Sequence, residues 1–418
     1  MVGGGGREHA LTRKLLESPR VEKMYAAPGN GGISRIAECV NISPMDIDGI
    51  VEFSVSNGID FVVVAPDDPL AAGMVDALEE KGIKAFGPNK AAAVLESSKV
   101  FSKNLMKKYN IPTASYEVFD DAGKALSYIK QHDKYPIVVK ADGLALGKGV
   151  IIAQNLDEAA EALKTIMTDK VFGASGNNVV VEDFLTGHEA SVLAFTDGKT
   201  IVPMVSAMDH KAVFDGDKGP NTGGMGTVSP NRFYDDETAK RCMDEIFLPT
   251  IRAMAAEGRP FKGCLFFGLM LCEDGPKVIE YNARFGDPET QVVIPRLKTD
   301  LMDIFEAVAG ERLDEINIEW SDEACACVVM ASGGYPGSYR KGLEISGLDE
   351  NGQLDGAIIY HAGVSCKDGR FYTNGGRVLG VTALGKSIDE AIDNAYMYVS
   401  KISFDGAHYR KDIGRRDR

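Results

Sequence analysis

In the first hundred residues short apolar strands alternate with amphipathic helices, and that alternation admits few folds. Four glycines at Gly3-Gly-Gly-Gly6 lead into a helix over 8–17. Strands follow at 21–26 and 60–65, with the turn Pro28-Gly-Asn30 between them. Strands and helices in alternation predict a parallel sheet covered on both faces. Gly87-Pro88-Asn89 breaks the pattern. A helix over 90–109 follows and stops before Ile111-Pro112, because the residue preceding a proline is driven out of the helical region.

A chain of 418 residues exceeds one ordinary core, so several domains are expected. The pattern places them at 1–98 (α/β), 99–312 and 313–418. In the middle part, buried strands are expected at 137–140 and 179–182, with a helix over 157–168. Residues 214–226, rich in Gly, Asn and Asp, read as a long functional loop. Strands at 265–271 and 276–281 pair through a turn at Glu273-Asp-Gly275. The last part offers strands at 325–331, 358–362 and 377–383 and a helix over 387–402, a small α+β cap.

Most of the chemistry sits in Val278-Ile-Glu-Tyr-Asn-Ala-Arg-Phe-Gly-Asp-Pro-Glu-Thr-Gln291. On a strand, residues two apart share a face, so Glu280 and Asn282 project together, with Arg284 next on that side. A carboxylate and an amide oxygen beside a guanidinium suit Mg²⁺ or Mn²⁺ holding phosphates. A surface strand with polar residues toward water fits the same letters. The Gly3–Gly6 run fails the dinucleotide fingerprint, since its third glycine falls on Glu8 or His9. It still offers a helix N-terminus to an anion. Ala141-Asp-Gly-Leu-Ala-Leu-Gly-Lys-Gly149 is not a Walker A loop, because Gly149 stands where Ser or Thr would hold a metal. Following Lys140 at a strand end, it reads both as a hairpin loop and as a lid over phosphate. In Val180-Val-Glu-Asp-Phe-Leu185, backbone at a strand end can meet a purine edge between Phe184 and Leu185, and Glu189 beyond can accept from ribose hydroxyls.

Composition removes other classes. A formal net charge of −15 argues against non-specific nucleic-acid binding. No apolar run approaches the ~18 residues of a membrane span, and the first residues lack the basic and apolar regions of a secretory signal. Seven cysteines contain no CxxC pair, and six histidines show no zinc spacing. Cys325 and Cys327 read as buried thiols. The expected compartment is the cytoplasm.

Taken in order, these segments resemble the ATP-grasp superfamily and, within it, the glycinamide ribonucleotide synthetase (phosphoribosylamine–glycine ligase) family over nearly the whole chain. The resemblance rests on Gly5-Gly-Arg-Glu-His-Ala10, Ala27-Pro-Gly-Asn30, Ser98-Lys-Val-Phe-Ser-Lys103, Lys140 with its glycine loop, Asp209-His-Lys211, Gly219-Pro-Asn-Thr-Gly-Gly-Met-Gly226, Arg284-Phe-Gly-Asp-Pro-Glu-Thr-Gln291, Gly333-Gly-Tyr-Pro-Gly337 and Thr373-Asn-Gly-Gly-Arg-Val378. It implies an N-terminal parallel-sheet (pre-ATP-grasp) domain, a central ATP-grasp domain and the C-terminal cap. It also implies ligation of glycine to 5-phosphoribosylamine with ATP, through glycyl phosphate, in purine biosynthesis. By that resemblance Lys99, Lys140, Gly143, Gly147, Lys148 and Gly149 contact ATP phosphates. Glu182, Asp183, Phe184 and Leu185 hold adenine, and Glu189 the ribose. Glu280 and Asn282 hold Mg²⁺ or Mn²⁺. Arg284 and Lys140 are catalytic, Arg284 stabilising the transferring group. Gly5, Gly6, Arg7, Glu8 and Asn30 face the sugar phosphate. Asp209, Lys211, Asn221, Thr222, Gly223 and Arg284 line the substrate end. Its partners are small molecules, not nucleic acid or membrane, and a monomer is expected with an oligomer open.

The chain departs from the family pattern in places. Ala212 stands where an arginine often follows His-Lys, and Asp67-Asp68 replace Glu-Ala. Only Met1-Val2 precede Gly3, against ~5–6 residues in a typical strand, so a few apolar residues are expected ahead of Met1 in the natural protein. Another ATP-grasp carboxylate–amine ligase fits less well, given Asn221–Gly226 and Gly375-Gly-Arg377. A silent nucleotide-binding protein is disfavoured by intact Lys140, Glu280, Asn282 and Arg284.

Overall fold

A computed structural model describes residues 1–144 and 149–415. The chain opens with five short parallel strands: β1 (Val2–Gly3), β2 (Tyr25–Pro28), β3 (Glu38–Cys39), β4 (Phe61–Val63) and β5 (Lys84–Phe86). β1 pairs with β2, β2 with β3 and β4 with β5, and Val2 bridges Val64. The spatial order is therefore β3-β2-β1-β4-β5, with the first strand in the middle. Val2 is buried in the core formed with Val62, Val64, Leu70 and Met74. β2 starts later than the expected 21–26. Its pairing begins only where Tyr25 accepts from the Met1 amine at 2.8 Å and Ala27 N–H donates to the Met1 carbonyl at 2.9 Å.

The helix expected over 90–109 is two helices, Lys90–Ser97 and Lys99–Lys108. Ser98 between them is extended (φ −136°, ψ 111°) and its Oγ caps the second helix at Phe101 N, 3.1 Å away. A serine that satisfies an orphan N–H competes with helix continuation, so the apolar periodicity runs through a real break.

The middle of the chain folds as two antiparallel sheets. β6 (Tyr116–Phe119), β7 (Ile137–Ala141), β8 (Val150–Ala153) and β9 (Val179–Asp183) form one, in the order β6-β9-β7-β8. Then come β10 (His188–Asp197), β11 (Ile201–Pro203), β12 (Met208–Asp209), β13 (Ala212–Phe214), β14 (Lys218–Asn221), β15 (Gly226–Ser229), β16 (Lys262–Cys272) and β17 (Gly275–Asn282). The second sheet has the order β11-β10-β16-β17. Residues 214–226, expected as a loop, overlap a two-stranded hairpin of β13 with β14 and supply its turn and all of β14. Irregular register hides that pairing from the period-two pattern. The helix expected over 157–168 is Leu156–Leu163 continued by a wider turn at Lys164–Thr168.

The last sheet combines β18 (Ala324–Ala331), β19 (Ile358–His361) and β22 (Arg377–Gly385) with β12 and β15, in the order β12-β15-β18-β22-β19; β20 (Val364–Lys367) and β21 (Arg370–Thr373) form a separate ribbon. Two strands from inside 99–312 thus complete the C-terminal sheet. Every residue of β18 is buried. Cys325 and Cys327 face the core with Val292 and Phe305, while Ala326 and Val328 face the helix Ile388–Val399. A central strand covered on both faces needs apolar residues at every position, which explains the unbroken run.

Candidate active site

Between the two middle sheets lies a cavity of about 520 Å³. Its walls include Lys99, Lys140, Gly143, Gly149, Glu182, Asp183, Phe184, Leu185 and Glu189. Arg7, Asp209, Lys211, Asn221, Thr222, Gly223, Arg284, Glu280 and Asn282 line it too, and Lys211 pairs with Glu189 at 3.1 Å. Gly147 and Lys148 lie outside the described residues. Gly5, Gly6, Glu8 and Asn30 are not among the described walls.

The glycine turn is built for close packing. A Cβ on Gly4 would stand 2.2 Å from the Gly29 carbonyl oxygen. The helix N-terminus behind it is capped from within the chain: Gly5 N–H donates to Glu8 Oε2 at 2.5 Å, and Arg7 N–H lies 3.4 Å from Asp287 Oδ2. Glu8 also holds Arg7 Nε at 2.8 Å, so this carboxylate steers Arg7 toward the cavity. Asn30 Nδ2 donates to the Gly4 and His361 carbonyls, and its Oδ1 accepts from Gly32 and Ile33 N–H. Those bonds use its amide fully. Glu8 and Asn30 therefore act as struts of the turn.

Within the cavity, Lys140 donates to the Ile279 carbonyl at 3.1 Å and pairs with Glu182, which also pairs with Lys103. Burial works to raise Glu182, but the two ammonium groups outweigh it and hold the carboxyl below its usual range. Lys103, drawn down by burial to about 8, also donates to Thr113 Oγ1 at 2.7 Å. Lys99 donates to the Gly143 carbonyl at 2.9 Å, and Asp142 accepts from Ser98 Oγ at 3.0 Å and Val100 N–H at 3.1 Å. The start of the glycine loop is thereby tied to the start of the helix Lys99–Lys108.

Glu280 and Asn282 do project together from β17. Burial opposes the Glu280 charge, yet Lys211, Lys140, Lys99 and Arg284 around it hold the carboxyl below its usual range. Arg284 lies past the strand end and turns back, donating to Asn282 Oδ1 at 3.0 Å. One carboxylate and one amide oxygen are hard donors that leave most of a coordination sphere to phosphate and water, which suits Mg²⁺ or Mn²⁺.

The chain matches three family models in succession: the Phosphoribosylglycinamide synthetase N domain at 1–96, its ATP-grasp (A) domain at 97–290 and its C domain at 325–416. It is 51% identical over 413 residues to a phosphoribosylamine–glycine ligase of Caldanaerobacter subterraneus subsp. tengcongensis, covering 99% of this chain and 98% of the relative. The chain belongs to the phosphoribosylglycinamide synthetase family. A Clostridium acetobutylicum phosphoribosylamine–glycine ligase is 48% identical, with 99% of both chains covered. The crystal structure of a phosphoribosylamine–glycine ligase from Thermotoga maritima superposes with a TM-score of 0.84 at 33% identity, over 99% of this chain and 98% of that one.

Several walls of this synthetase-family cavity were not singled out by the sequence. Glu96 accepts from Ala283 N–H at 2.6 Å and pairs with Arg284 at 3.2 Å. Arg377 donates to the Gly223 carbonyl at 2.6 Å and the Asp287 carbonyl at 2.7 Å. Burial and the nearby charge of Glu289 push Asp209 well above the usual carboxylate range, and burial raises Glu289 too. Arg377, Asp287 and Glu289 fall in the motifs that carry the resemblance, but only proximity shows that they meet. Of the departures, Asp67 lines the cavity from the first turn of the helix Asp67–Ala72. The Ala212 carbonyl accepts from Arg410 at 3.1 Å.

Proposed function

We propose that this cavity holds ATP between the two middle sheets and presents its γ-phosphate to the acceptor substrates beside Arg284. The family reaction, and that of this chain, is ATP-dependent ligation of glycine to 5-phosphoribosylamine, giving glycinamide ribonucleotide, ADP and phosphate in purine biosynthesis. The supporting observation for the residue assignment is one cavity walled by Lys99, Lys140, Glu280, Asn282 and Arg284.

In this reading the glycine carboxylate attacks the γ-phosphorus, the bond to the β,γ-bridging oxygen breaks, and ADP leaves as glycyl phosphate forms. The ribosylamine nitrogen then attacks the acyl carbon, and phosphate leaves. Lys99 and Lys140 neutralise phosphate oxygens, and Arg284 stabilises charge on the transferring group. Glu182–Leu185 supply backbone to adenine, and Glu189 meets the ribose. Arg7, Asp209, Lys211 and Asn221–Gly223 surround glycine and the ribosylamine. A Mg²⁺ or Mn²⁺ ion on Glu280 and Asn282 would supply further neutralisation of the phosphates. Catalysis is then positioning plus fixed charge, with no enzyme nucleophile. The partners are these small molecules; a monomer acting in the cytoplasm fits the reading. Among the described residues no helix is long and apolar enough to cross a membrane.

The test is ADP release measured with each substrate omitted in turn, in the parent and in Lys140→Met. Release that requires both glycine and phosphoribosylamine, and collapses in the variant, is the expected result. Unchanged turnover in Lys140→Met would reject the phosphate assignment.

A further inference from the structure

The β13–β14 hairpin leads from Lys211 at its start to Asn221 at its end, and a distant segment grips it from outside. Arg410 has no exposed side-chain surface, and the proposed reaction gives it no part. Its guanidinium forks onto Asp412, Nε and Nη2 each donating to one carboxylate oxygen at 2.8 Å. Nη1 reaches the hairpin, donating to Asp217 Oδ1 at 2.8 Å and the Ala212 carbonyl at 3.1 Å. Backbone on both sides adds further ties. Lys411 N–H donates to the Asp215 carboxylate at 2.7 Å, Gly216 N–H to Asp412 at 2.8 Å, and Gly414 N–H to His210 Nε2 at 3.1 Å.

These bonds hold the hairpin at its tip, along β13 and at its base. The base faces the cavity: Thr222 N–H and Oγ1 both donate to the Lys211 carbonyl at 2.8 Å, and Lys211 Nζ reaches Glu189 at 3.1 Å. Packing fixes only one side of the hairpin: β13 buries Ala212 and Val213, the latter against Met225, Ala331 and Tyr335. All four residues of β14 are exposed, and the register with β13 is irregular. An isolated two-stranded ribbon is marginally stable in water. A planar, permanently charged guanidinium bonded in several directions sets position as well as holding it.

We infer that residues 408–414 form a latch that fixes the hairpin over the substrate end, with Arg410 as its positioning residue. The inference rests on the proposed assignment of Lys211 and Asn221–Gly223 to that end. It gives the chain a device, remote from the reacting atoms, that sets affinity for the acceptor substrates more strongly than affinity for ATP.

The experiment compares Arg410→Met and Lys211→Met with the parent, measuring KM for all three substrates and hydrogen exchange over 212–221. In Arg410→Met the KM for glycine or phosphoribosylamine should rise about tenfold or more through misplacement of the hairpin. The KM for ATP should rise much less, through the Lys211–Glu189 pair alone, and exchange over 212–221 should quicken. Parental KM values and exchange in Arg410→Met, beside an impaired Lys211→Met, overturn the latch. So does an equal rise in all three KM values. If Lys211→Met also binds every substrate normally, the substrate assignment fails and the latch's role falls with it. Should Arg410→Met not fold, Asp217→Asn, at the half-exposed hairpin tip, loosens the grip while leaving the Arg410–Asp412 fork intact. It must show the same split between acceptor and ATP, and parental values there overturn the proposal.

Discussion

Glu280 keeps its negative charge inside a ring of cations, and this electrostatic balance is what a metal-bound nucleotide would complete. Lys211, Lys140, Lys99 and Arg284 all act on this carboxylate through space, while Lys140, Lys211 and Arg284 pair with Glu182, Glu189 and Glu96. Glu280→Gln keeps the shape and removes the charge. It should lower Mg²⁺-dependent turnover by the equivalent of a few kcal/mol of barrier. Nucleotide binding without metal should change little, because the proposed adenine contacts lie at Glu182–Leu185. Normal turnover of Glu280→Gln at limiting Mg²⁺ would remove the metal assignment. Glu96 behaves in the opposite sense. Burial pushes its carboxyl up to about 7 against the pull of Arg284. The folded state therefore binds this proton more tightly than the unfolded chain, whose carboxyl titrates near 4.5. Its contribution to stability is fully present below that value and is lost as pH rises through about 7. Melting temperatures of Glu96→Gln and the parent, followed from acid to neutral pH, should shift in favour of the variant as pH rises. A constant offset would mean that Glu96 titrates normally.

At the scale of elements, Ser98 joins the glycine loop to the helix that carries Lys99. Its Oγ caps the helix Lys99–Lys108 and also donates to Asp142 at the start of the glycine loop. Ser98→Ala should cost about 1 kcal/mol of stability, as lost N-caps do. It should also raise the KM for ATP, since the helix that carries Lys99 and the loop that carries Gly143 lose a common anchor. Calorimetry and steady-state kinetics check both, and a destabilised variant with parental ATP affinity would confine Ser98 to capping. The sequence displayed half of this joint. Ser98-Lys99 was visible as part of a motif, but uninterrupted helical periodicity on both sides concealed the break. Strand periodicity did reveal the shared face of Glu280 and Asn282, because two-residue spacing is local. Glu96 escaped notice because its partner Ala283 is 187 residues away. The pairing of β12 and β15 with β18 was equally illegible, since nothing local marks a strand as belonging to a sheet formed much later in the chain.

Across the whole molecule, the first and last parts meet through two neutral histidines. His9, on the helix Gly6–Leu15, accepts through Nδ1 from the His361 backbone N–H at 2.8 Å, and the two rings pack edge to face. His361 Nε2 lies 2.8 Å from the Gly352 carbonyl, which fixes that nitrogen as the N–H donor. Neither ring has room for a second proton at low cost. Burial lowers His361 to about 4, although the Gly352 carbonyl works the other way. Burial, then the His361 and Arg13 charges, takes His9 well below its ordinary range. A base whose folded-state pKa is depressed takes up protons on unfolding. Its contribution to stability is complete above the ordinary histidine value of 6.5 and is lost as pH falls from there toward about 4. The N-terminal sheet domain and the C-terminal cap should therefore loosen from each other on mild acidification. Hydrogen exchange in the helix Gly6–Leu15 and in β19 should rise together as pH falls from 6.5 toward about 4, while the central core at β10 and β16 stays protected. His361→Gln retains a side-chain donor toward Gly352 and removes the titration. Its loss of melting temperature across that interval should be smaller than the parent's. An identical acid slope in parent and variant would show that carboxylates elsewhere, and not this histidine pair, set the acid limit of the fold.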